Sequence, residues 1–201
     1  SLKPDDALTY YNKGKSLQKL ERYKEAIECF DQALSLESNY TDAYYEQGIS
    51  FYYLRKYNEA IECYNKAISL KPDDANVYYQ KGESLDGLQR YDEAIECYNK
   101  AIFLKPEDPR NYRRKASSLD HLNRDKEAIK CYNKAIPLEP HNAYNYSHKA
   151  NILGRLQRYK KAIECLDKAI SLKPDYADAY YLKGCCFLEL KKYQEVIPVV
   201  Q

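Results

Sequence analysis

A period of 34 residues runs through almost the whole chain. Tyr10, Tyr44, Tyr78, Tyr112, Tyr146 and Tyr180 are evenly spaced, and so are Ala26, Ala60, Ala94, Ala128 and Ala162. The cysteines Cys29, Cys63, Cys97, Cys131 and Cys165 keep the same interval. A fixed period in this range marks a stacked repeat architecture, because no single unit of that size buries its hydrophobic face alone. A stack of similar units offers an extended surface rather than one deep pocket. Binding is therefore the expected function, and catalysis would need evidence of its own.

The units run 7–40, 41–74, 75–108, 109–142 and 143–176, with a partial sixth at 177–201. Residues 1–6 (SLKPDD) repeat 69–74 and read as the tail of an upstream unit, so the chain is expected to be one array with two open ends. Within the second unit, Tyr44, Gly48 and Phe51 lie at helical spacing, as do Ala60, Ile61, Tyr64, Ala67 and Ile68. Arg55 and Lys56 between them leave room only for a tight turn between antiparallel helices. Pro72, Pro106, Pro140 and Pro174 end each second helix, since proline donates no hydrogen bond. Asp74 and Asp108 stand where an N-cap belongs, and Pro109 suits the first helical position.

Gly14, Gly48, Gly82 and Gly184 recur inside first helices, at a cost of roughly 1 kcal/mol each in helix propensity. Their recurrence predicts a close approach of the two helices, with Ala26, Ala60, Ala94, Ala128 and Ala162 facing them. Tyr23, Tyr57, Tyr91, Tyr159 and Tyr193 are expected to wedge the inter-helix turns. In units 4 and 5, Ala116 and Ala150 replace the glycine, Asp125 replaces the turn tyrosine and Pro137 enters the second helix. A change of curvature near 116–150 is the expectation from these departures.

These small, aromatic and proline positions in a 34-residue helix–turn–helix resemble the tetratricopeptide repeat over essentially all 201 residues. The resemblance implies an all-α, right-handed superhelical solenoid of antiparallel helix pairs. Its first helices would line a concave groove that binds peptides or protein segments. The groove-lining positions would then carry Tyr11, Tyr45, Tyr79 and Tyr181, with Tyr52 in addition. Aromatic rings with hydroxyl tips combine apolar area with hydrogen bonding and recur at interface hot spots. Inter-unit packing is the competing use of these tyrosines.

The fourth unit breaks this ladder with Arg110, Arg113 and Arg114 at i, i+3 and i+4, and the fifth adds His148, Asn151 and Arg155. Residues 109–176 hold fifteen Lys/Arg against seven Asp/Glu, a net +8, whereas residues 1–108 come to −6. Clustered arginines suit an acidic side chain, a phosphate or a terminal carboxylate. The bland alternative is a solvated face with Glu83 and Asp86 as neighbours. One subclass of the resembled family clamps a partner's terminal carboxylates across three first helices. Only Arg110 and Arg114 fit that pattern; Tyr45, Ile49 and Gln80 do not, so that clamp is not expected.

Five in-phase cysteines lie farther apart than the ~7 Å that a bridge allows, and Cys185 and Cys186 are adjacent, so buried thiols in a reducing compartment are expected. The reading is a cytoplasmic or nuclear location, with no membrane segment, cofactor or metal. The chain begins without Met and contains none, which reads as a piece of a longer protein. His121, His141 and His148 show no ligand pairing, and no phosphate loop or nucleophile elbow occurs, so an enzyme is not expected. The expected partner is an extended, partly acidic peptide segment. Alternatives are nucleic acid along 109–176, with Tyr112, Tyr144 and Tyr146 as stacking rings, or service as the targeting arm of a larger enzyme. End-to-end self-association through Phe187, Leu188 and Val196 is a further expectation.

Overall fold

The computed structural model describes residues 6–190, and every element in that span is an α-helix. The helices fall into two compact units that divide between Pro106 and Glu107. The first contains α1 (Ala7–Lys19), α2 (Tyr23–Leu36), α3 (Thr41–Tyr53), α4 (Tyr57–Leu70), α5 (Ala75–Gly87) and α6 (Tyr91–Leu104). The second contains α7 (Pro109–His121), α8 (Asp125–Leu138), α9 (Ala143–Arg155), α10 (Tyr159–Leu172) and α11 (Ala177–Glu189). Within each unit consecutive helices pack as antiparallel pairs, and each pair packs on the next, which makes both units all-α solenoid stacks. Residues 1–5, Tyr193, Val196 and Pro198 lie outside the described span.

Local chemistry explains the boundaries. Four of the six described first helices start on side-chain caps, while α3 and α11, preceded by Tyr40 and Tyr176, have none. Asp6 accepts from the Thr9 amide at 2.6 Å, Asp74 from Asn76 at 2.9 Å, Asp108 from Arg110 at 3.0 Å and Asn142 from Tyr144 at 3.1 Å. Pro109 occupies the first turn after Asp108, where its missing N–H costs nothing. Second helices lack such caps. Instead Arg22, Arg90 and Arg124 pair with Glu25, Glu93 and Glu127 three residues on, placing a carboxylate in the electropositive first turn.

The inter-helix turns share one device that the sequence does not advertise. Glu21, Arg55, Gln89, Asn123 and Gln157 all adopt the left-handed region, with φ between 55° and 59°, although none is glycine. In each turn two amides reach back. Arg55 N donates to Tyr52 O at 2.8 Å and Lys56 N to Phe51 O at 2.9 Å, satisfying carbonyls at the end of α3. Second helices stop at Leu70, Leu104, Leu138 and Leu172, two residues before their prolines. α8 keeps the same 14-residue length despite Pro137, because a proline in the last turn forfeits one bond only.

The packing corrects two expectations. A β-carbon at Gly14, Gly48 or Gly82 would sit 2.6, 2.5 or 2.6 Å from the ring of Phe30, Tyr64 or Tyr98. The glycines therefore make room for an aromatic ring of the second helix, rather than for Ala26, Ala60 and Ala94, which are nonetheless fully buried. The turn tyrosines reach beyond their own turn. Tyr23 stacks on Tyr53 of the next pair's first helix, with centroids 4.9 Å apart and 10° between planes, and Tyr57 covers Gly87 in the same way. They lock successive pairs together. Of the residues expected at an exposed C-terminal surface, Phe187 is buried and Leu188 is exposed.

Candidate functional site

In the first unit, the aromatic ladder is largely spent on packing. Tyr11, Tyr45 and Tyr79 each lean on the ring of the glycine-facing aromatic in their own pair, Phe30, Tyr64 and Tyr98, at 6.0, 6.2 and 6.1 Å. Tyr11 also packs on Tyr40 at 4.9 Å, with the Lys15 ammonium 5.5 Å from its ring. Tyr79 is buried; Tyr11, Tyr45 and Tyr52 are half-buried, and Tyr52 meets Tyr53 and Tyr57. Burial raises the Tyr11 phenol above its usual range. Tyr181, in the second unit, is 73% exposed, the most open of the ladder residues.

The second unit gathers three of the candidates into one place. Arg113 and Arg114 of α7, Tyr132 of α8 and Asn142, Tyr144 and His148 at and within α9 line a recess of 380 Å³, with Ser117 on its wall. Arg113 is held from behind: its Nη1 pairs with Glu139 at 2.8 Å, and the same carboxylate oxygen accepts from Asn142 Nδ2 at 2.9 Å. The His148 ring lies parallel to the Tyr132 ring, 5° between planes. Burial lowers the His148 pKa below its ordinary value; the Asp120 charge opposes this and the Arg113 charge, a smaller influence, adds to it. The Tyr144 hydroxyl accepts from Lys173 Nζ at 2.8 Å, so Lys173 adds positive charge at the rim.

The other candidates stand apart from that recess. Arg110 turns back onto its own cap, with Nη2 2.7 Å from Asp108 Oδ2. Asn151 and Arg155 line a separate recess with Gln157, Tyr159 and Cys185. Arg155 is ion-paired with both Asp120 and Asp125, which raises its pKa further. The expectation did not include Glu139, Asn142 or Tyr144. A signal for the first was present: Glu139 reverses the charge of Lys71, Lys105 and Lys173, its counterparts before the unit prolines.

The remaining chemistry is structural. All seven cysteines are free, and burial pushes the Cys63 thiol up to about 12 and Cys97 to about 11, far from a reactive thiolate. Among the described residues no group of three or more His, Cys, Asp or Glu is placed to hold a metal ion. No described helix is long and apolar enough to cross a membrane.

Stacks of antiparallel helix pairs of this kind define a helical-repeat protein. The tetratricopeptide repeat profile matches residues 7–40, 45–109 and 79–143, and the chain belongs to the tetratricopeptide repeat family. A profile described as anaphase-promoting complex, cyclosome, subunit 3 matches residues 121–201. No curated protein sequence matches the chain. Among solved structures, YrrB, described as a TPR protein with an unusual peptide-binding site, is 25% identical, with a TM-score of 0.78 over 89% of this chain and 92% of its own. MamA from Desulfovibrio magneticus RS-1 is 22% identical, with a TM-score of 0.81 over 88% and 99%. PilF of Pseudomonas aeruginosa is 18% identical, with a TM-score of 0.79 over 96% and 88%. The likeness to MamA and PilF is one of fold.

Proposed function

We propose that the chain, read as one array of 34-residue units, is a non-catalytic interaction module that binds an extended, partly acidic protein segment. The observation that carries this reading is the recess lined by Arg113, Arg114 and His148, which has no carboxylate among its lining residues. An acidic side chain entering it meets two guanidinium groups, one of them pre-set by Glu139, and charge-assisted contacts of this kind are the stronger class of hydrogen bond. The half-buried Tyr45 and Tyr52 of the first unit and the exposed Tyr181 of the second are the aromatic candidates for apolar contact with a bound segment. Peptide binding by YrrB, a 25% identical family member, supports the class of ligand.

The test is capture of extended peptides of graded acidity by the whole chain and by the Arg113→Glu, Arg114→Glu double variant. Binding that rises with peptide acidity and disappears in the variant is the expected result. Equal capture of acidic and neutral peptides, or equal capture by both proteins, would remove the arginines from the site. Binding of single-stranded nucleic acid in place of peptide, with affinity falling steeply as salt rises, would favour the nucleic-acid alternative.

A further inference from the structure

We infer that the recess at Gly154 seats an uncharged apolar side chain of leucine size from the bound segment, and that Gly154 selects for it; the inference rests on the extended-segment reading and narrows it. The glycine itself comes first. A glycine inside a helix is less stable there than an alanine. At Gly14, Gly48, Gly82 and Gly87 it makes room for an aromatic ring. Gly154 makes room for no ring: a β-carbon there would find no neighbour among the described residues nearer than Cys186 Sγ, at 3.9 Å. At the same register the other first helices carry Gln18, Tyr52, Asp86, Asp120 and Leu188. Gln18 of α1 reaches α3, donating to Glu46 O at 2.7 Å and Ser50 Oγ at 2.9 Å, and Asp120 of α7 reaches Arg155 of α9. Between α9 and α11 the glycine sends no such side chain across, and a recess of 470 Å³ opens there.

The lining states what fits. Its floor is apolar, with Ala150 and Cys186 buried and Leu182 and the Tyr159 ring half-buried. Its one cation, Arg155, is already ion-paired with Asp120 and Asp125, and Glu189 stands exposed at the edge. An anion gains nothing from a guanidinium that is already offset, and any charged group would lose hydration on that floor. An apolar side chain gains by burial there. The Asn151 and Gln157 side chains are exposed and form no hydrogen bond among the described residues, so both amides can bond the backbone of a segment whose side chain enters the floor.

The recess also continues the one already described. Tyr144 and His148 line the Arg113–Arg114 recess, Asn151 and Arg155 line this one, and the four share a single helical stripe of α9. From His148 to Gly154 the helix rises about 9 Å. An extended segment covers that distance in about three residues. The segment that fits therefore pairs an acidic residue with a leucine-sized one about three positions away.

The test uses the full chain and three bead-bound degenerate peptide libraries with a fixed central glutamate. The third residue on each side of it is leucine, alanine or lysine, which covers both directions of travel along α9. The leucine library should be captured about tenfold more strongly than the alanine library, and lysine no better than alanine. Gly154→Gln, which installs the α1 residue of this register, should erase the leucine preference and keep capture of the alanine library. It should melt no lower than the wild type, since glutamine is the better helix former. Soluble leucine peptides should slow alkylation of Cys185, which lines the recess, and leave that of Cys165, half-buried on α10, unchanged. Equal capture of the leucine and alanine libraries, or a preference for lysine, would overturn the apolar subsite and leave the acidic-segment reading intact. Capture of no library would overturn both. A leucine preference that survives Gly154→Gln, or Cys185 alkylated equally fast with and without peptide, would overturn the placement in this recess. A Gly154→Gln chain that melts below the wild type would make the glycine a packing requirement and overturn its role in selection.

Discussion

Asp125 and Arg155 are ion-paired across successive helix pairs, thirty residues apart, at the relative position where Tyr23 stacks on Tyr53 in the first unit. An aromatic joint has been exchanged for an electrostatic one. Asp120 joins the same guanidinium, so the α8–α9 contact carries a three-residue charge network where the first unit has ring stacking. A surface pair is worth little, but a network with a mostly buried Asp125 is worth more.

The joint should therefore respond to salt. Raising ionic strength is expected to lower the stability of the second unit, and Asp125→Ala to cost about 1 kcal/mol at low salt. Asp125→Tyr with Arg155→Tyr should recover the loss and abolish the salt dependence. Urea melts at two salt concentrations check this; a salt-independent wild type would refute it.

Gly82→Ala should destabilise the first unit by about 1–2 kcal/mol, although alanine is the better helix former. The added carbon would stand 2.6 Å from Tyr98. Tyr98→Leu in the same chain should relieve the clash, since Ala150 and Leu166 coexist at equivalent positions of the second unit. Ala116 and Tyr132 coexist there too, so the cost reflects how far the Tyr98–Asp86 hydrogen bond keeps the ring from yielding. Thermal melts of the single and double variants test the pairing.

Two buried tyrosines at equivalent positions should behave oppositely. Among the described residues the Tyr64 hydroxyl has no hydrogen-bond partner, whereas the Tyr98 hydroxyl donates to Asp86 at 2.7 Å. Tyr64→Phe is expected to be neutral or stabilising by up to about 1 kcal/mol, and Tyr98→Phe to cost about 1–2 kcal/mol. Denaturant unfolding of each variant decides it.

Replacing a left-handed turn residue by glycine should stabilise the fold. Gln89→Gly removes the steric cost of φ 59° and is expected to gain about 0.5–1 kcal/mol, after the extra entropy of unfolded glycine is subtracted. Asn123→Gly should gain less, since asparagine tolerates that region best. Comparison of the two melting midpoints separates the cases.

His148 contributes to the pH response of the second unit. Its folded pKa lies below the unfolded value near 6.5, so the unfolded chain binds more protons as pH falls through and below that value. Its contribution is intact above that window and is lost progressively on acidification. The groups that bear on it are Asp120 and Arg113 from α7 and Tyr132 from α8. Unfolding between pH 7.5 and 5.5 should show stability falling in the wild type and a flatter profile in His148→Gln.

The positions of the helices were legible because each signal is local. Apolar spacing, the caps at Asp74 and Asp108 and the prolines after each second helix act within a few residues of the boundary they set. The left-handed turns were not legible, since Glu21, Arg55, Gln89 and Gln157 are ordinary residues forced into that conformation by the pairing of the helices on either side. The basic residues of the candidate site were legible as a charge cluster, but their grouping was not. Arg110 is one turn from Arg114 in sequence, yet its side chain returns to Asp108.

By itself, then, the sequence determined the repeat, the alternation of helices and turns, and the concentration of positive charge after residue 108, because each depends on residue type and spacing along the chain. Tertiary structure decided which side chains meet. It gave the glycines aromatic rings to accommodate rather than alanines, turned Tyr23 toward the next pair, drew Arg155 to Asp125, and left Arg113, Arg114 and His148 around one recess. Those outcomes depend on distances between helices, and the balance of burial, ion pairing and shape at each contact is settled only when the helices have packed.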